Sequence, residues 1–420
     1  MNARVAAAEL LMTVMDGGRA LEDALDSVRS FGALEGRDRA FARALATAGL
    51  RRLGSVNAVL SRFLDRPLPD TAPHARALLH IGATQLLVLG TPPHAAVGET
   101  VEAANSLRET RGFAKLMNAV LRKVASNGAE IMASLPVGTD LPPWLYTRWR
   151  AAYGAEAEAI ARALLTEPPL DVSVKTDAEG WAQRLLGVLT PTGSVRLTAP
   201  SPVDSLPGFD NGAWWVQDAA AALPARLLGD VRGKRVLDLC AAPGGKTLQL
   251  AAMGAQVTAV DKSDARLERL RENSARTKLQ AEVVCADALE FRSAGPFDAV
   301  LLDAPCTSTG TLRRHPDVAW LRRPTDVRAL AELQARLVAT CAALLKPGAP
   351  LLYAVCSLEP EEGPGVVAEA LRNGWRRAPL TSADTLAEFI TADGDLRTHP
   401  GQWPQIGGLD GFFASRLVRG

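Results

Sequence analysis

Two cysteines stand where packing alone gives a thiol little reason to be. Cys306 lies in DAPCTSTG and Cys356 in AVCSLEPEEG, each just past an apolar, β-branched run and inside a loop. A free cysteine is most often a small core residue, but a core position would fall within the run. A thiol of reference pKa about 8.5 supplies appreciable thiolate near neutrality, more in an electropositive setting. A thiolate is a strong nucleophile for covalent catalysis. Position alone does not say which of the two attacks. Cys285 falls within a strand pattern and Cys341 within a helical one, so both are expected in the core. Cys240 opens a glycine-bearing turn, where its backbone should matter more than its sulfur.

Carboxylates recur at the ends of similar runs: Asp261 closes TAVD, Asp287 closes CAD and Asp303 closes LLD. Aspartate is a common helix N-cap, so one such residue says little. Three in series are different, because the C-terminal ends of parallel strands form the crevice where open α/β sheets bind ligands. Ahead of them LDLCAAPGGKT places Gly244 and Gly245 at a strand-to-helix turn, where backbone amides approach a ligand closely at the positive end of a helix. The phosphate-loop spacing fails because Cys240 stands where its first glycine belongs, and GxGxxG is absent. A different nucleotide-like cofactor is expected, its ribose within reach of Asp261.

The elements that must position these groups follow from hydrophobic periodicity. KRVLDLC, AQVTAVD, AEVVCAD, FDAVLLDAP and PLLYAVC read as strands, separated by the helical patterns KTLQLAAMG, SDARLERLRENSARTK and VRALAELQARLVATCAALL. This alternation over 211–420 specifies a doubly wound parallel sheet, with DGFFASRLVRG as an antiparallel last strand. Residues 1–135 instead repeat apolar positions three and four apart and form an all-α domain. The 136–210 stretch, with two helical patterns and the strand LDVSVKT, reads as a small α/β connecting subdomain.

Bulk composition narrows the setting. The 420 residues carry 47% hydrophobic and 22% charged side chains and a net charge of +1, as in an ordinary globular protein. Nucleic acid would have to be met by local patches. The helical region is mildly basic, with 16 Lys/Arg against 13 Asp/Glu over residues 1–130. GTLRRHPDVAWLRR carries Arg313, Arg314, Arg322 and Arg323 against Asp317 alone, suited to stacking on opened bases and pairing with phosphates. The alternative is a solvated helix start. Five cysteines without a CxxC pair suggest neither disulfides nor a metal site, and no signal peptide or membrane span is evident. A reducing, cytoplasmic setting is expected. A thiol hydrolase is disfavoured, since none of the five histidines ends a strand of the α/β region.

Taken together, LDLCAAPGGKT, TAVDKS, CADAL, LLDAPC and AVCS resemble the two-cysteine class of S-adenosylmethionine-dependent RNA cytosine-C5 methyltransferases. RALLHIGATQLL and AKLMNAVLRKV look like the NusB-type helical RNA-binding domain, a combination similar to the RsmB (Sun/Fmu) family acting on small-subunit ribosomal RNA. The resemblance covers nearly the whole chain. It implies a Rossmann-like class I methyltransferase domain behind a NusB-like one. S-adenosylmethionine would be held by Cys240, Ala241, Ala242, Pro243, Gly244, Gly245, Lys246, Asp261, Asp287 and Asp303. It further implies that Cys356 is the nucleophile, Cys306 assists product release and Asp303 stabilises the ring at N3. The partner would be naked or early-assembly ribosomal RNA, with no obligate protein partner and the chain monomeric. Two departures are visible: Val355 where the family usually has threonine, and Ser173 and Lys175 where it often has Arg-x-Asn.

Overall fold

The computed structural model describes residues 2–197 and 202–419. The chain forms two compact units: Met1–Thr166 with Leu312–Arg322, and Glu167–Thr311 with Arg323–Gly420.

The first unit is helical. Its core is built from apolar stripes on Ala3–Met15, Gly36–Arg51, Pro73–Leu87 and Ala114–Ala133, with Leu10, Leu45, Leu78 and Leu121 among the fully enclosed residues. The periodic stretch at 8–28 is broken at Gly17 and Gly18, the latter at φ +65°, so it folds as separate helices. Helices Pro143–Tyr153 and Glu156–Ala163 also belong here. Stretch 136–210 is therefore not one connecting subdomain. Its helices bury Trp149 and Ile160 within the helical unit, where Asp140 accepts from Ser55 N (2.7 Å), Ser55 Oγ (2.5 Å) and Arg52 Nε (2.9 Å). Its strands join the other unit.

Leu312–Arg322 departs further from expectation, because it is part of the helical unit's packing. Leu21 N donates to Asp317 Oδ2 (2.9 Å), Arg51 Nη1 to Arg313 O (2.5 Å) and Trp320 Nε1 to Leu50 O (3.1 Å). Trp320 and Leu321 pack on the helical core. Arg313 is only 1% exposed, so it is not a base-reading side chain: the segment folds inward and carries it along. Arg314 and Arg322 are half-buried and Arg323 is exposed.

The second unit holds two sheets. Strands β1 (Leu170–Val174), β2 (Gly187–Leu189), β3 (Val195–Leu197) and β4 (Trp214–Val216) form an antiparallel sheet in the order β2-β3-β1-β4. Strands β5 (Arg235–Leu239), β6 (Gln256–Asp261), β7 (Glu282–Cys285), β8 (Ala299–Asp303) and β9 (Pro350–Val355) are parallel. β10 (Trp375–Arg377), β11 (Leu396–Arg397) and β12 (Phe413–Arg419) complete that sheet, in the order β10-β12-β9-β8-β5-β6-β7 with β11 beside β12. β12 runs antiparallel to β9, as the sequence predicts. Helices Gly245–Ala252, Asp264–Thr277 and Pro324–Cys341 occupy the crossovers. Near-continuous burial along β5, β8 and β9 is what helices on both faces require. Cys341 is in this core, but Cys285 is exposed because β7 is the sheet's edge strand. Among the described residues, no helix is long and apolar enough to cross a membrane and no side-chain cluster suits a metal ion.

The small sheet contains a buried ion pair. Arg196 reaches Asp171 through Nε and Nη2, both at 2.7 Å, and its Nη1 donates to the carbonyls of Ile406 (2.7 Å) and Gly408 (2.8 Å). Removing one partner strands the other charge away from water. Asp171→Ala should cost about 3–5 kcal/mol, read as a lowered midpoint in urea unfolding; a midpoint like that of the unaltered chain would show that the pair is dispensable.

Candidate active site

β5 ends at Leu239, and the chain turns through Cys240, held at φ +61°. For a residue with a β-carbon this left-handed conformation costs about 1–2 kcal/mol, which neighbouring contacts must offset. Ala241 N donates to Val260 O (3.1 Å) and Ala242 N to Asp261 Oδ2 (3.1 Å). Gly244, at φ +106°, then opens the helix Gly245–Ala252; a β-carbon there would lie 2.7 Å from Leu270 Cγ. Gly244 thus serves the left-handed turn and its close packing on Leu270 at the helix start.

Asp261 organises this loop. Its Oδ1 accepts from Ser263 N at 3.0 Å, and the Arg266 guanidinium stands 4.0 Å from its Oδ2 while also donating to Ala242 O. Asp238, one residue before the end of β5, accepts from Thr247 Oγ1 at 2.6 Å; its Oδ1 is buried without a protein hydrogen-bond partner. Burial, reinforced by Asp303, pushes the Asp238 carboxyl up to about 7. Burial and the carboxylates Asp261 and Asp303 likewise push Cys240 up to about 12, so its sulfur is no nucleophile near neutrality.

Lys246, in the first helical turn, places Nζ 2.7 Å from Asp303 Oδ2 and 5.1 Å from the centre of the Phe412 ring. Burial opposes its charge, but Asp303 outweighs that and raises its pKa. The thiols of Cys306 and Cys356 lie 3.4 Å apart, with Ser308 Oγ 3.9 and 3.7 Å from them. The hydrogen bond between the sulfurs lowers the pKa of Cys356 and raises that of Cys306. Lys246 favours the Cys356 thiolate as well, against burial and Asp303. The pair is therefore polarised, with negative charge favoured on Cys356 and the proton on Cys306. Two thiols in contact and an ammonium–carboxylate pair share one crevice.

Comparison with known proteins places this crevice in context. Residues 225–418 match the family described as 16S rRNA methyltransferase RsmB/F, and residues 1–126 match the NusB family. Ribosomal RNA small subunit methyltransferase B of Cronobacter sakazakii is 35% identical over 100% of this chain and 99% of that protein. The Vibrio vulnificus protein of the same name is 36% identical, with 100% of both chains covered. The chain belongs to the ribosomal RNA small subunit methyltransferase B family. Among solved structures, that of PH0851 has a TM-score of 0.75 at 22% identity, covering 99% of both chains. A methyltransferase homologue from Pyrococcus horikoshii gives 0.55 at 27% identity over 65% of this chain and 93% of that one.

Members of this family take their methyl group from S-adenosylmethionine, and the residues present suit it. Its sulfonium and ammonium centres are cationic, and Asp238, Asp261 and Asp303 are close enough to shift the Asp238 carboxyl together, with one Asp238 oxygen still to be satisfied. Of the residues singled out from sequence, the 240–246 turn, Asp261, Asp303, Cys306 and Cys356 cluster at these strand ends. Asp287 stands apart: it is exposed two residues beyond β7, and its Oδ1 accepts from Leu289 N at 2.8 Å. Sequence reasoning missed Asp238, Arg266, Ser308 and Phe412. Only Asp238 gave a signal, as a carboxylate inside an otherwise apolar strand.

Ionised Asp238 favours a cationic ligand, so affinity for S-adenosylmethionine should rise as pH passes upward through 7. From a carboxyl at about 7, calorimetry at pH 6 and 8 should give roughly tenfold tighter binding at pH 8. The comparison is made against Asp238→Asn, which cancels the ligand's own titration. Equal pH dependence in both proteins would remove Asp238 from cofactor binding.

Proposed function

We propose that this chain methylates C5 of a cytosine in small-subunit ribosomal RNA, through a covalent bond between Cys356 and C6 of the base. The observation that carries the reading is the polarised thiol pair, 3.4 Å apart beside the Lys246–Asp303 ion pair. C5 of cytosine is a weak nucleophile. Addition of the Cys356 thiolate to C6 makes C5 an enamine carbon able to take up a methyl group. Asp303 supports that addition by accepting a hydrogen bond from N3 in its protonated form, which holds the ring in the state that takes up the thiolate's electrons. S-adenosylmethionine supplies the electrophilic methyl group. Cys306 then assists the elimination that removes the C5 proton and expels Cys356 from C6.

The cofactor is held by Cys240–Lys246, Asp261 and Asp303, with Asp287 toward the adenine. The ribosomal substrate is supported by near full-length similarity to relatives named for the small-subunit RNA. Half-buried Arg314 and Arg322 and exposed Arg323 are the candidates for phosphate contacts. The target base must leave its stack, at a cost of about a few kcal/mol that opened RNA lowers. The substrate is therefore naked or early-assembly RNA, and the chain acts as a monomer with no obligate protein partner.

The test is methyl transfer to ribosomal RNA from a strain lacking this activity, with the modified base mapped. Cys356→Ala should lose at least about a thousandfold in turnover, as expected when a covalent nucleophile is removed. Cys306→Ala should instead trap a protein–RNA adduct, seen as a slow band on a denaturing gel. An adduct with Cys356→Ala would reverse the two assignments; a methyl group on a base other than cytosine would overturn the reaction.

A further inference from the structure

The two thiols sit on separate loops, yet their separation is that of a direct contact. Each is followed by a hydroxyl residue, Thr307 after Cys306 and Ser357 after Cys356, and both hydroxyls point to one carboxylate. Glu362 lies on the single turn Glu361–Gly365 and is fully buried. Its Oε1 accepts from Thr307 N at 2.8 Å and Gln334 Nε2 at 3.0 Å. Its Oε2 accepts from the Thr307 hydroxyl and from Ser357 Oγ at 2.5 Å.

Gln334, on helix Pro324–Cys341, also donates to Pro305 O at 2.9 Å. Cys306 is therefore bracketed by Pro305 and Thr307, both tied to the Glu362–Gln334 pair. The Tyr353 hydroxyl lies 3.1 Å from Gln334 Oε1 and within hydrogen-bond reach of Glu362 O, connecting the pair to β9. On the other side Gly310 N donates to Cys356 O at 3.0 Å and Leu358 N to Thr309 Oγ1 at 3.0 Å. A β-carbon on Gly310 would come within 2.0 Å of Gly411 O, so the loop has no room to retreat.

We propose that Glu362 is a positioning residue that fixes the spacing and relative orientation of the Cys306 and Cys356 thiols, resting on the functional reading above. It touches neither sulfur. It acts by joining the residues next to them, so that one buried carboxylate sets the geometry of both. Misplacing reacting groups by about 1 Å lowers rates by roughly a hundredfold. Without Glu362, four donors from three segments would need other acceptors in a dry site, and the loops would separate to find them.

The experiment has two arms on the full-length protein. In the first, turnover and KM are measured on ribosomal RNA, and affinity for S-adenosylhomocysteine is measured separately. Glu362→Ala should lower kcat about a hundredfold, with KM and cofactor affinity within about threefold. Glu362→Gln keeps the shape and one acceptor, and rotating hydroxyls can accommodate its amide, so it should recover most of that loss. Should Glu362→Ala fail to fold, Ser357→Ala, which removes one donor only, carries the same prediction at about tenfold.

The second arm needs neither RNA nor cofactor. It follows iodoacetamide alkylation of Cys356 and Cys306 by mass spectrometry as a function of pH. The unaltered protein should alkylate Cys356 first, and its pH profile should move upward in the Glu362 and Ser357 variants as the sulfur–sulfur hydrogen bond is lost. Reduced thermal stability with unchanged kcat per folded molecule and an unchanged alkylation profile would overturn the proposal. If the unaltered protein methylates no cytosine while alkylation shifts as described, the functional reading fails and the positioning role stands.

Discussion

The parallel pairing of β8 with β9 is the constraint from which the site follows. Asp303 is in register with Ala354, and Ala304 N donates to Ala354 O at 2.9 Å, so both strands leave the sheet at one level. Cys306 and Cys356 occur within three residues of that level and emerge on adjacent loops. The pairing of β5 with β8, Leu239 opposite Leu302, brings the glycine turn beside Asp303. A one-residue slip would turn every side chain of the slipped strand to the opposite face. Burial on both sides of β5, β8 and β9 forbids such a slip, so the hydrophobic core enforces the reacting geometry although none of its residues reacts.

Charge is arranged on that frame with the same economy. Asp238, Asp261 and Asp303 lie close together, a placement that costs stability when nothing cationic is present. Lys246 neutralises Asp303 directly, and Arg266 stands near Asp261. Among the described residues no cation is ion-paired with Asp238, Lys246 acting on it only at longer range, and burial keeps it protonated up to about pH 7. The site therefore holds one carboxylate whose ionisation depends on what binds. A cationic cofactor would complete the set, and the apparent excess of acid would then be a binding feature.

Much of this was legible in the sequence, and the failures have physical causes. Strand–helix alternation predicts the sheet and its antiparallel last strand, because period and length differ plainly between those elements. The glycine turn, Asp261, Asp303 and both thiols lie where strand ends place them. Arg313 was misread because charge pattern reports composition and not burial: its backbone carbonyl is held by Arg51 and its side chain follows the chain inward. Cys285 was misread because strand periodicity does not reveal which strand is an edge. The helices of 136–166 were misassigned because proximity in sequence to a strand says nothing about which core their apolar faces join. Glu362 escaped notice for another reason. In SLEPEEG it reads as a solvated acid, and only tertiary structure brings Thr307, Gln334 and Ser357 around it.

The thiol pair shows why two cysteines are more useful than one. A lone buried thiol would have its pKa raised by burial, as Cys341 does, and would supply no nucleophile near neutrality. A second thiol at hydrogen-bond distance changes the balance: one sulfur holds the proton and the other accepts it. The hydrogen bond from Cys306, helped by Ser308 and Lys246, favours negative charge on Cys356 against burial and Asp303, while Glu362 disfavours it on Cys306. Glu362, which joins the residues beside both sulfurs, thus also disfavours charge on one of them. Distance and polarity are consequently not independent properties of this site. Moving the loops apart would weaken the hydrogen bond and raise the Cys356 pKa.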